Sequence, residues 1–590
     1  MTRQRVAAFL ITALALATLG AAQPCPAGQI AIEWVERMPA IPEPFDVRDW
    51  RTVARHYDRL VFDLHAEGPF LPLVWLDPDV PNLDGPGFGL PSYVGLARGG
   101  HRHEGINGIA AVLGASLIGI DKTAGPHNWV QMCRQYYQPD VGLVLNGVRG
   151  GTGRSFWYEI WPSILFYGLA DRYPDENGLL PTCRRIADRW AEAVEALRPE
   201  RGRAPDFDHA AFDFRTMQAV DHGRRREPEA AAGVAWMLLA AHQRWADPTH
   251  LEAAWACLAF LDGHEANPYY EVLLPWGALA AARANGQHGA DHDVRKILTW
   301  CFDGRTTPRG SWGTVCGRWG EVDCHGLVGS LTDRGGYAFG MNTFAQPAAL
   351  VPLVRYDDRF ARAVGRYMLN AASAARLFYP DALPPDHQSS PDWKADPANC
   401  VAYEGLRKEW DGKCPYATGD VVRRNKGPTD LGLYGSSHVG LVAALVQRTD
   451  EDHILRLDCL ATDFHHPPAY PTYLYYNPHD GPRQVSLDVG NAKRGLYDAA
   501  GNRWLIRGVR GKAAVTVPAD AAVLVVVCPA GGKVIRDGPR LLVDGVVVDY
   551  RMEARGEALD SVTPTAGAPP RPMFHPAPSG PRRGSGGRDP

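Results

Sequence analysis

The chain has 590 residues, enough for one large domain or two ordinary ones with ample core. Its 62 Lys and Arg against 66 Asp and Glu give a net charge of −4, so no basic face is implied and a nucleic-acid partner is not expected. With 17 Trp, 22 Tyr and 18 Phe, some aromatic side chains exceed the needs of a core, though most should belong to it.

Residues 1–22 read as a secretory signal. Arg3 and Arg5 form the positive start, residues 6–19 the apolar run, and Gly20-Ala21-Ala22 the small-residue cleavage site. That run is too short for a membrane span, and no later stretch is longer and as apolar, so an exported protein, periplasmic or extracellular, is expected. In an oxidising compartment Cys316/Cys324 and Cys400/Cys414 are candidate disulfides, while Cys183, Cys257 and Cys301 fall on apolar helix faces as buried thiols.

Residues 23–469 alternate between two kinds of helix. One kind carries a single apolar stripe: 49–65, 127–137, 181–197, 248–262, 290–302 and 357–375. In 181–197, for example, Cys183, Ile186, Trp190 and Val194 share a face opposite Arg184, Arg185 and Asp188. The other kind is apolar nearly all round: 104–120, 156–170, 228–243, 268–284, 338–354 and 433–448. A helix without a polar face must be buried on every side. Strict alternation of the two kinds predicts antiparallel hairpins, six in number, closed into an (α/α)6 toroid. From residue 470 to 555, short β-branched and aromatic runs separated by Gly, Asn, Asp and Pro predict a C-terminal antiparallel β-sandwich. The Pro-, Gly- and Arg-rich stretch 556–590 reads as a disordered tail.

All six inner helices should run in one direction, so the loops before them would meet at one mouth. Those loops supply the candidate site. Glu271, Glu159, Asp333 and Asp221 are the candidate catalytic carboxylates, and Trp157, Tyr270, Tyr337, Arg224, His438, His387 and Trp410 the candidate substrate-binding residues. Aromatic faces stack on sugar rings and charged side chains pair with hydroxyls, so a carbohydrate substrate is expected. Glycosidic hydrolysis needs one carboxyl group to protonate the leaving oxygen and another to activate water or attack carbon. Glu159 and Glu271 would equally suit the first turn of a helix, where the dipole favours a carboxylate, and Asp333 before Gly335-Gly336 would equally suit a turn. A helix-cap role competes for His438. The insertion at 380–429 should fold over the same mouth, where its Glu404 or Asp420 could replace either favoured carboxylate. Asp77, Asp79 and Asp84 read as exposed loop residues rather than calcium ligands. No cofactor or metal is called for.

The alternating hairpins followed by a β-sandwich resemble the six-hairpin glycosidase superfamily. The resemblance covers about residues 45–450 and implies an (α/α)6 catalytic domain. Asn267-Pro268-Tyr269-Tyr270-Glu271, Gly335-Gly336-Tyr337-Ala338-Phe339, Tyr434-Gly435-Ser436-Ser437-His438-Val439-Gly440 and Tyr470-Pro471-Thr472-Tyr473-Leu474-Tyr475-Tyr476-Asn477-Pro478 resemble strings in a group of exported bacterial proteins. Neither resemblance carries a catalytic role to a particular residue. Three functions remain open: an exported glycoside hydrolase using paired carboxylates; a polysaccharide lyase on a uronic-acid glycan, with Tyr337, His222 or His438 as base and Asn342 or Arg224 neutralising the carboxylate; and a non-catalytic glycan-binding protein.

Overall fold

A computed structural model describes residues 28–200, 202–223, 225–306, 310–393, 399–420 and 428–552. The expected signal segment, the tail beyond 552 and Arg224 lie outside the described residues. Among those described, twelve helices build the ring: α1 Trp50–Val61, α2 Gly105–Leu117, α3 Trp129–Met132, α4 Phe156–Arg172, α5 Leu179–Ala196, α6 Ala230–Trp245, α7 Pro248–Gly263, α8 Leu274–His288, α9 Val294–Phe302, α10 Gly340–Leu353, α11 Ala361–Ala374 and α12 Val439–Leu445. The even-numbered helices pack in sequence, α2 on α4, α4 on α6, α6 on α8, α8 on α10 and α10 on α12, and α12 returns to α2. This closed circuit is the predicted ring of six hairpins. The odd-numbered helices lie outside it: α1 against α2 and α12, α5 against α4 and α6, α7 against α6 and α8, α9 against α8, α11 against α10. The helix α3 is a single turn, prolonged by the 3-10 turn Cys133–Tyr136 that packs on α2.

Side-chain pattern explains which helix goes where. Every residue of α10 is buried, as are Ala230 to Ala241 of α6. In α1 only the stripe Trp50, Ala54, Tyr57, Leu60 and Val61 is buried, and Asp49 caps the start by accepting the Thr52 N–H at 3.0 Å. The ring closes where two glycines meet: a Cβ on Gly440 of α12 would lie 2.2 Å from Gly114 Cα of α2. Only a residue without a side chain permits that backbone-to-backbone contact.

Two helix boundaries differ from expectation. The fourth inner helix begins at Leu274, with Pro275 in its first turn, so Glu271 precedes the helix instead of opening it. The sixth breaks into the turn Leu433–Ser436 and α12, and then becomes a strand at Val446. A five-stranded antiparallel sheet covers the mouth, with order β5-β4-β3-β2-β1: β1 Trp312–Thr314, β2 Val328–Ser330, β3 Tyr337–Phe339, β4 Gly405–Arg407 and β5 Tyr416–Thr418. Strands β4 and β5 come from the 380–429 insertion and pair beside β3, which runs directly into α10. The insertion therefore reaches the inner-helix ends as expected, though as strands that the sequence pattern did not announce.

The C-terminal region is β-rich. Its main sheet has order β6-β7-β8-β13-β10-β11, made of β6 Val446–Arg448, β7 Leu455–Asp458, β8 Thr472–Asn477, β10 Arg494–Asp498, β11 Arg503–Val509 and β13 Ala521–Pro529. The ribbon β9 Arg483–Asp488 with β12 Lys512–Val517 covers one face, and α11 of the ring packs against β8 and β13 on the other. Alternation makes this explicit: Val523, Val525 and Val527 join the ribbon's core, whereas Leu524, Val526 and Cys528 join the ring's. Burial on both faces is why β13 is apolar throughout. A three-stranded meander, β14 Val534–Asp537, β15 Arg540–Val543 and β16 Val546–Asp549, follows. The C-terminal sheet thus begins at Val446, ahead of the sequence boundary at 470, because β6 and β7 complete the sheet that β8 starts.

The ten described cysteines are free, which corrects the expected Cys316/Cys324 and Cys400/Cys414 pairs. Cys316 instead lies 3.5 Å from the Trp34 carbonyl, and Cys183, Cys257 and Cys301 are buried thiols as anticipated. No described helix is long and apolar enough to cross a membrane.

Candidate functional site

The loops entering the inner helices are stitched to one another all the way round. Asn146 donates to Glu104 Oε2 at 3.0 Å and accepts from the Ile106 N–H, joining the first two loops. Glu227 accepts from Ser155 Oγ and the Trp157 N–H, both at 2.9 Å, joining the second and third. The Tyr270 N–H donates to Glu229 at 2.9 Å, joining the third and fourth. Tyr269 donates to Gln346 of α10 at 2.5 Å, the Gly340 N–H donates to the Glu404 carbonyl at 2.8 Å, and the Tyr434 N–H donates to the Ser92 carbonyl at 3.2 Å, which closes the circle. Ser92 also donates to Glu104 Oε1 at 2.9 Å. A mouth tied in this manner holds its side chains in fixed positions, the condition for a preorganised site.

The segment before α8 is the most constrained. Asn267 donates to the carbonyls of Trp300 and Asp303 at 3.0 Å each, and its Oδ1 accepts the Tyr269 N–H at 2.9 Å. With both flanks anchored, Glu271 sits at φ 65°, in the left-handed region that costs a non-glycine residue about 1 kcal/mol or more. Strain of that kind, held by surrounding structure, is characteristic of functional positions.

Around Glu271 stands an aromatic wall. The Tyr270 ring meets Trp312 edge-on at 5.3 Å, Trp312 lies 6.1 Å from Tyr337, and Tyr337 lies 5.0 Å from Phe339. Across the mouth sheet, Trp312, Ser330, Tyr337, Arg407 and Tyr416 stand in register on one face, and the Arg407 guanidinium lies 4.5 Å over Trp410. On the opposite side Trp157 touches Tyr158 at 4.6 Å and Tyr434 at 6.3 Å. Tyr158 is an exposed aromatic ring at this mouth. Burial pushes the Tyr434 phenol well above its usual value, and the charges of Glu104, Glu271 and Glu404 add to the rise. Burial, then Glu271 and Asp333, likewise raise the Tyr337 phenol.

The remaining sequence candidates are distributed differently. Glu159 is fully buried, its two oxygens accepting the N–H groups of Gly153 at 2.7 Å and Phe212 at 3.2 Å. Burial drives its carboxyl group well above the usual range, with the nearby Glu227 adding to the rise. It braces two loops and has no face toward the mouth. Asp221 is exposed, 2.9 Å from His209 and 3.9 Å from Arg226 in a surface ion-pair group. Asp333 lies in a 3-10 turn at the rim, where its N–H donates to Ser330 Oγ. His438 is wholly buried between Trp161 Nε1 at 3.3 Å and the Tyr434 carbonyl at 3.0 Å, so both ring nitrogens are used inside the protein and burial lowers its pKa to about 4. His387 binds the Pro415 carbonyl at 2.8 Å, within the insertion. Trp157 and Tyr337 are buried, whereas Tyr270 and Trp410 are half-buried.

No protein-family profile and no curated protein matches the chain. Among solved structures, a GH127 β-L-arabinofuranosidase from Geobacillus stearothermophilus T6 shares 11% identity over 85% of each chain with a TM-score of 0.33. A sugar epimerase from a ruminal bacterium shares 9% identity over 67% of this chain and 98% of its own, with a TM-score of 0.39. A GH27 β-L-arabinopyranosidase from Geobacillus stearothermophilus shares 15% identity at a TM-score of 0.12, over 17% of this chain and only 24% of its own. Overlaps this loose carry no argument about activity, and the ring is established by the helix contacts themselves.

Glu104, directly before the first inner helix, and Glu404, in the insertion, are not among the four favoured carboxylates. Glu104 follows the polar string His101-Arg102-His103 directly before an inner helix, which is the same signal that singled out Glu271. Glu404 carried no local signal, because its place depends on β4 pairing with β3.

Proposed function

We propose that this protein is an exported glycoside hydrolase acting on a poly- or oligosaccharide, with Glu271 and Glu404 as its carboxyl pair. The observation that carries this reading is Glu271, held in a left-handed turn beside the rings of Tyr270, Trp312 and Tyr337, with Glu404 placed directly before β4 of the same mouth sheet. One carboxyl group would hand its proton to the glycosidic oxygen, and the other would activate water or attack the anomeric carbon. Glu104 is held by Ser92 and Asn146 at the entry to the first inner helix. The rings of Tyr158 and Tyr270 would receive the sugar faces.

The charge pattern favours hydrolysis over β-elimination. A lyase needs a phenol or imidazole that gives up its proton readily and a cationic partner for the uronate. Here burial and neighbouring carboxylates push the Tyr337 and Tyr434 phenols upward, away from a readily given proton. A broad panel of neutral and acidic glycans tests the reading. Reducing-sugar release by the parent chain, lost about a hundredfold or more in Glu271→Gln and Glu404→Gln, is expected for groups in general acid–base roles. Release of products with ultraviolet-absorbing double bonds, or undiminished release by both variants, would overturn it.

A further inference from the structure

The hairpin Trp75–Asp77/Gly87–Gly89 and the loop entering α2 bring Asp77, His101 and His103 together. One ligand-capable atom from each lies within 4.8 Å of the other two. His101 Nδ1 is 2.9 Å from Asp77 Oδ2, and His103 Nε2 is 3.9 Å from the same oxygen. Asp77 Oδ1 is turned away to accept the Asp79 N–H at 3.3 Å. Asp77, expected in an exposed loop, is 3% exposed.

The decisive feature is His103. Its side chain is fully buried, its Nδ1 lies 2.9 Å from the Tyr136 hydroxyl, and its Nε2 is buried with no hydrogen-bond partner. Buried polar atoms are almost always paired, so one aimed at a carboxylate and a second imidazole, yet bonded to neither, calls for a further occupant. The ring is held in that direction. Trp75 meets it edge-on at 5.8 Å, and Gly89 leaves no space for a side chain, since a Cβ there would lie 2.8 Å from His103 Cδ2.

We propose that Asp77, His101 and His103 form a binding site for a divalent transition-metal cation, of which zinc is the type. Two imidazole nitrogens and one carboxylate suit such an ion, whereas calcium and magnesium prefer oxygen alone. Tyr136 supplies the outer contact: with the Nδ1 proton directed to its oxygen, the Nε2 lone pair faces the ion. His101, 30% exposed, gives the entry side, and three protein ligands leave a position for water or a sugar hydroxyl. The site stands whether or not the mouth hydrolyses sugar.

The test uses the untagged full chain, stripped with a chelator and titrated with zinc by calorimetry, with metal content measured after dialysis. One equivalent of zinc per chain and a raised melting temperature are expected. His101→Ala, at a partly exposed position, should keep the parent circular-dichroism spectrum while binding zinc at least tenfold more weakly, and Asp77→Asn should do the same. Cobalt(II) added in place of zinc should give visible absorption that His101→Ala weakens. If the stripped chain takes up no zinc, or if His101→Ala binds it as tightly as the parent, the site is refuted. His101→Ala alone decides should Asp77→Asn not fold.

Discussion

Replacing Glu159 separates bracing from chemistry. Its carboxylate accepts two buried N–H groups, from Gly153 and Phe212. In Glu159→Ala both donors lose their partner. At about 1–3 kcal/mol for each orphaned buried donor, the variant should be less stable by about 4 kcal/mol. In Glu159→Gln the amide oxygen retains one N–H, while the amide NH2 confronts the other donor, so about 2 kcal/mol is expected. Urea denaturation followed by circular dichroism gives both values. Glycan release by the folded Glu159→Gln protein should stay within about tenfold of the parent, against losses of roughly 100-fold or more for Glu271→Gln. A Glu159→Gln protein as stable as the parent yet inactive would refute the bracing role and return Glu159 to the chemistry.

Three further outcomes follow from packing and charge. Asp463 is buried beneath Arg283 and Arg355 and accepts from the Tyr356 hydroxyl at 2.9 Å, so Asp463→Ala strands two buried guanidinium groups and should cost about 3–5 kcal/mol in denaturant titration; a loss below about 1 kcal/mol would refute that. Gly440→Ala should lower the melting temperature, although alanine favours an isolated helix by about 1 kcal/mol, because its Cβ would strike Gly114; a rise would show that the ring can open there. Burial pushes Asp549 up to about 6, with the nearby Asp498 adding to the rise. A carboxyl group raised in the fold binds its proton more tightly there than in the unfolded chain. Its contribution is therefore complete below the unfolded pKa of about 4 and is lost as pH rises through about 6, a change of roughly 3 kcal/mol. Between those limits the parent should lose stability relative to Asp549→Asn, and parallel curves would refute the assignment.

Hydrophobic pattern alone announced the ring. Helices such as α6 and α10 have no polar stripe, so they had to lie inside, and alternation with striped helices such as α1 and α5 left the closed hairpin ring as the economical packing. The segment before α8 was also legible, because Tyr269-Tyr270-Glu271 stands out beside an apolar run. Its conformation was not. Asn267 and Pro275 move the helix start beyond Glu271 and leave that residue in a left-handed turn.

What local sequence cannot carry is which distant groups share a charge or a hydrogen bond. Glu159 and Glu271 look alike beside their helices, yet Glu159 is consumed by backbone donors fifty-three residues and six residues away, while Glu271 stands in a left-handed turn ahead of its helix. His103 and Asp77 likewise meet only because a hairpin folds back over α2. Periodicity is a property of neighbouring residues, so it determined the helices and their inside faces. Strand pairing, burial of single charges and the meeting of loops across the ring depend on long-range contacts, and only the tertiary structure decided them.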